Sequence, residues 1–291
     1  MDDVAVALDD DGEGDASRER LDVAALARRI NGAVLTLYAD HLSDDGRQVD
    51  YASMRASTAF GQYVAEVARL ADEVTVDQLC DLTDDQVKAT FINLYNAIVI
   101  HATVVRGAPG DMAQRTSFFA QSAYRIGGEL LSLDDIEHGV LRGNAVHPAP
   151  WFRGSQLDVA RRPQLAALAA RMRPVDPRIH FALVCGAVSC PPIRVFTSRN
   201  LEFGLDAAAA NFCSQSVRAV GERALELSSI FKWYACDFAP SVVSWLAERS
   251  DQLFRSSESP EADVLAVLAA AQRGEQVSLS YAAYDWSLNG H

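Results

Sequence analysis

Lysine is nearly missing from this chain: Lys88 and Lys232 stand alone among 291 residues, and the other basic side chains are all arginines. Acidic side chains outnumber basic ones, 39 to 26, for a formal net charge of -13. No basic stripe or aromatic-interleaved arginine run relieves that charge. Such a surface repels a phosphate backbone and excludes nucleic acid as the expected partner. Strong net charge keeps proteins soluble and apart, a device halophiles use. The scarcity of lysine fits a salt-loving, GC-rich source, although GC-biased codon usage alone also depletes lysine. No apolar stretch reaches the ~20 residues of a membrane span. Residues 1–15 lack the basic and apolar regions of a secretory signal, so the expected location is the cytoplasm. The five cysteines are odd in number and irregularly spaced, which favours free thiols in a reducing compartment over a disulfide framework. No phosphate-binding glycine loop, dinucleotide fingerprint or Gly-x-Ser-x-Gly elbow occurs. No cofactor and no resident metal are expected.

What is present reads as an ordinary globular composition, 49% hydrophobic and 22% charged. Residues 1–17, rich in Asp and Gly, read as a disordered acidic tail. Residues 18–291 read as one globular domain, since no linker divides them. Helical spacing of apolar residues predicts helices over residues 20–42, 57–71 and 83–105, the last capped by Thr83. Residues 123–133 predict two short strands around Gly127-Gly128. A short helix over 134–142 follows, capped by Ser132 or Asp134, and then a loop over 143–154. Later segments predict a long helix over 200–220, a strand near 224–227, helices around 237–249 and 261–272, and a final strand near 277–281. The fold class is α+β: one mixed domain, mostly helical with a small sheet, with a cysteine-peptidase-like arrangement as one option.

The run Arg178-Ile179-His180-Phe181-Ala182-Leu183-Val184-Cys185-Gly186-Ala187-Val188-Ser189-Cys190-Pro191-Pro192 is the most distinctive segment. It predicts a buried strand ending in a stiff turn that carries two thiols. Strand alternation would put His180 and Cys185 on opposite faces, which favours Cys190 as a nucleophile. Packing of two small buried thiols at a strand end is the bland alternative. His138, preceded by Glu137, sits on the short helix at 134–142 with Asp134 one turn back, an arrangement suited to a general base and equally to an exposed histidine beside a solvated carboxylate. Arg142 could hold a carboxylate in bidentate fashion or simply end that helix favourably. Asn93 and Asn96 interrupt an apolar helix, where unpaired amides cost energy. With His101 they could line a pocket wall or hold a loop backbone.

Six ordered segments together resemble the family catalogued as domain of unknown function 547. They are Phe91-Ile92-Asn93-Leu94-Tyr95-Asn96-Ala97 with His101; Ile126-Gly127-Gly128; Leu133 to Arg142; Arg178 to Pro192; Ser229-Ile230-Phe231-Lys232-Trp233-Tyr234 with Asp237-Phe238; and Tyr284 to Asn289. The resemblance implies a shared fold and no agreed activity. From the residues, one reading is a thiol-dependent hydrolase or acyltransferase acting on a protein or peptide. Cys190 would be the nucleophile and His138 its base, oriented by Glu137 or by Asn96 or Asn93, with His101, Arg142, His180 and Cys185 lining the site. The alternatives are a non-enzymatic interaction or structural module and a zinc protein. A zinc site through His180, Cys185 and Cys190, with His138 or His147 as a fourth ligand, does not match the usual paired-ligand spacing.

Overall fold

The structure, a computed structural model, describes residues 21–43, 49–148, 157–184, 193–254 and 260–284. The acidic tail, Cys185 and Cys190 lie outside them. The architecture is α+β, with helices predominating over a two-stranded and a three-stranded sheet.

One helix organises the first half of the molecule. Asp84–Arg106 starts at a capping box in which Thr83 accepts from the backbone of Gln86 while the Gln86 side chain reaches back to Thr83, and it stops at Gly107 with φ 75. It is buried on nearly every side from Val87 to Val104, as expected of a core helix that is apolar all round. Val23–Asp40, Thr58–Asp72 and the hairpin of β1 (Ala123–Ile126) and β2 (Glu129–Ser132) pack with it into one hydrophobic cluster. Gly127 and Gly128 both take positive φ in the hairpin turn. At Gly127 a Cβ would come within 2.9 Å of the Val76 nitrogen, so the close approach also demands glycine.

A second cluster is dominated by stacked and tilted aromatics, Phe181, Phe212, Phe231, Phe238 and Trp245. Leu201–Ser216, Val242–Glu248 and Glu261–Gln272 supply its helices. Its sheet runs β3 (Val217–Gly221), β4 (Ala224–Ser228) and β5 (Ser278–Ala282), antiparallel then parallel. The helix expected to reach residue 220 therefore ends at Ser216, because Val217–Gly221 pairs with β4.

Two irregular segments depart from the sequence-based expectation, and the first of them joins the two clusters. Pro177–Phe181 is a 3-10 helix and not a strand. Asp176 accepts from the Arg178 backbone, Pro177 occupies the first turn, and Ile179 and Ala182 close i→i+3 bonds. The apolar run is buried because Ile179 enters the first cluster and Phe181 the second. The strand-face argument that separated His180 from Cys185 lapses with the strand. The helix expected at 134–142 is a π-helix, Asp135–Leu141, with Arg142 and Asn144 donating to carbonyls five residues back. Such insertions recur at functional sites.

Candidate active site

The site forms where these two segments meet Ala235–Asp237 and the flanking Tyr234. Its centre is Arg142, fully buried. It donates Nε–H to Asp237 Oδ2 at 2.7 Å and Nη2–H to Oδ1 at 3.0 Å, a bidentate pair. His180 lies on the same carboxylate, with Nε2 2.8 Å from Oδ2. Burial works to raise the Asp237 pKa, but the hydrogen bonds from His180 and Arg142 win and hold it well below the usual carboxylate range. An ionised carboxylate only accepts, so Nε2 of His180 carries the hydrogen and Nδ1 becomes the imidazole's basic nitrogen. Tyr234 stacks on His180 with ring centroids 3.8 Å apart, and the Arg142 guanidinium lies over the same tyrosine at 5.2 Å.

Glu137 is buried beside this group and accepts from Tyr95 Oη at 2.9 Å and from Tyr234 Oη. Burial alone would raise its pKa. His138 and His180, the Tyr234 hydroxyl and Arg142 outweigh burial and lower it. Glu137 therefore anchors two tyrosines, and its Oε1 stands 4.0 Å from His138 Nδ1. His138 instead receives a hydrogen from Arg142 Nη1 at 2.9 Å. Burial lowers its pKa to about 3, with His147 and Arg142 adding to the effect. A neutral ring bonded to a guanidinium is a weak base, so the expected role of His138 does not match its surroundings. The histidine with a carboxylate at its back is His180.

Asn96 and Asn93 serve the backbone on either side of the cysteine segment. Asn96 donates to the Ala182 carbonyl at 3.0 Å and accepts from the Val184 N–H at 3.0 Å. Asn93 donates to the Phe196 carbonyl at 2.7 Å and accepts from its N–H at 2.9 Å. Neither amide orients an imidazole; both fix the chain that enters and leaves residues 185–192. His101 is not part of this group. Its Nδ1 meets Tyr124 Oη at 2.8 Å, and Phe60 and Tyr63 pack edge-on against its ring. It belongs to the core behind the hairpin.

The buried groups reach the surface through Tyr234 and His147, both half-buried, and through exposed Cys236. Cys236 Sγ lies 3.5 Å from Asp237 Oδ1. Burial and Asp237 raise its pKa, the opposite of what an activated thiol requires. Asp237, Tyr234 and Tyr95 were not singled out as site residues from the sequence. Asp237 and Tyr234 lie together in the segment Ser229 to Phe238, one of the six that carry the family resemblance.

Residues 79–213 match the model of a family described as a protein of unknown function, DUF547. The chain is similar to that family over this stretch, a little under half of its length. No curated protein and no solved structure matches it. The DUF547 region contains Asn93, Asn96, Glu137, His138, Arg142 and His180, while Tyr234 and Asp237 fall beyond residue 213. The carboxylate that organises the site is thus supplied from outside the matched region. No helix among the described residues is long and apolar enough to cross a membrane.

Proposed function

We propose that this protein is a thiol-dependent hydrolase or acyltransferase acting on a protein or peptide, with Cys190 as nucleophile and His180, oriented by Asp237, as its base. The observation that carries the reading is the bond from His180 Nε2 to a carboxylate that Arg142 keeps ionised. A histidine held this way keeps one tautomer and offers Nδ1 to a nearby proton donor, the logic of nucleophile, base and orienting acid. His180 precedes the thiol segment by only a few residues, and Asn96 fixes the chain at Val184, next to Cys185.

The chemistry balances without a cofactor. The Cys190 thiol passes its proton to His180 as sulfur bonds to the acyl carbon of an amide or ester. The leaving amine or alcohol takes that proton as its bond to carbon breaks, giving a thioester. Water or an acceptor amine then attacks the thioester, His180 receives the proton, and the thiol is restored.

One observation favours the alternative of a structural or interaction module: Arg142, Asp237, Glu137 and His180 are all buried and paired. Labelling separates the two. A small electrophile should alkylate the native chain chiefly at Cys190, and Cys190→Ser should remove that fast phase while Cys185→Ser retains it. Equal labelling of the native chain and Cys190→Ser points to the module. Transfer of the fast phase to Cys185 would leave thiol chemistry standing but change the nucleophile.

A further inference from the structure

His138 also belongs to a second group of side chains that the thiol reading does not use. Asp134, His138 and His147 each offer one donor atom, and these atoms lie within 4.8 Å of one another. Asp134 is 3% exposed, and its Oδ2 is buried with no hydrogen-bond partner. The neighbouring acid does not share this fate. Asp135 accepts from the backbone and hydroxyl of Ser132, and Arg162 Nη1 stands 3.7 Å from it. The reciprocal Ser132–Asp135 bonds take over the helix start and leave the Asp134 carboxylate to the interior. A buried carboxylate oxygen without a partner is expensive unless a cation or donor compensates it.

We propose that Asp134, His138 and His147 form a binding site for a divalent transition-metal ion of the zinc type. Two imidazole nitrogens and one carboxylate oxygen suit such an ion, and three protein ligands leave a fourth position for water. The proposal does not depend on the thiol reading. Tetrahedral zinc, with ligand bonds of about 2.0–2.2 Å, needs donor atoms about 3.5 Å apart. His147 is half-buried on the loop after the π-helix. With Arg142 at Nδ1 of His138, Nε2 is the nitrogen left for the ion. Coordination there requires the ring's hydrogen on Nδ1, so metal binding would displace the bond that Nδ1 accepts from Arg142 Nη1 and turn that hydrogen toward Glu137 Oε1, 4.0 Å away. Arg142 Nη1 keeps its bond to the Val146 carbonyl at 3.0 Å. A carboxylate behind a metal-bound histidine is the usual supporting arrangement.

The test is equilibrium dialysis of the full chain against zinc, with metal counted per chain, repeated with cobalt and read by visible absorption. The native chain is expected to hold about one ion. His147→Ala and Asp134→Asn should each weaken binding at least tenfold, with the cobalt band shifted or lost. His147→Ala carries the test if Asp134→Asn does not fold, because His147 lies on a half-buried loop. Absence of zinc binding by the native chain overturns the proposal. So does binding that both variants leave unchanged, or binding lost only in Cys185→Ser or Cys190→Ser.

Discussion

Replacing Arg142 with leucine is expected to lower the stability of the fold by about 3–5 kcal/mol, the usual cost of leaving one partner of a buried ion pair without the other. Arg142 is fully buried, and Asp237 is 9% exposed. Leucine removes both guanidinium bonds to the carboxylate together with the donor to His138 and to the Val146 carbonyl. Adding Asp237→Asn to Arg142→Leu should recover a substantial part of the loss, since no buried charge is then left bare. Urea unfolding of the two single variants and the double variant measures this. If the double variant is as unstable as the sum of the single ones, Arg142 and Asp237 do not act as a pair.

Acid should cost this protein about 3 kcal/mol through His101 alone as the pH falls from 6.5 to 4. Burial lowers the pKa of this ring from 6.5 to about 4. Below pH 6.5 the unfolded chain gains a proton that the folded chain does not bind until near pH 4. The stability present above pH 6.5 is therefore lost across that window, and each pH unit of separation is worth about 1.4 kcal/mol. His101→Gln keeps a polar group near Tyr124 Oη and cannot titrate there. Its unfolding free energy, whatever its value at pH 7, should fall less than that of the native chain between pH 7 and pH 4.5. Parallel pH profiles would assign the acid sensitivity to other groups.

How much of this was legible in the sequence varies with the range of the interaction. Asp84–Arg106 could be read because Thr83 and Gln86 form a local capping signal and the apolar run behind them is long. The β1–β2 hairpin could be read because Gly127-Gly128 supplies two consecutive positive φ angles. Pro177–Phe181 is not legible from its apolar run, because a short apolar run does not reveal its own period; Asp176-Pro177 is the local signal of a helix start there. Asp111 before Met112–Gln121 and Pro163 at the head of Pro163–Ala170 are similar local helix-start signals. The π-helix left no trace in residue spacing. The site itself was the least legible part, because its defining bonds join residues far apart. Arg142 and Asp237 are separated by 95 positions, and His180 and Asp237 by 57. His138 stood out because Glu137 is its neighbour in sequence, whereas in the fold Glu137 turns to two tyrosines.

The most direct measurement is the rate at which an electrophile alkylates Cys190, followed across pH in the native chain and in Asp237→Asn and His180→Asn. If His180, held by Asp237, activates the thiol, the native chain reacts fast well below the ordinary thiol pKa of about 8.5. Both variants should then react at least ten times more slowly near pH 7, with profiles moved to higher pH. Native and variant chains that share one rate and one profile would contradict the assignment of His180 and Asp237 to the thiol's chemistry.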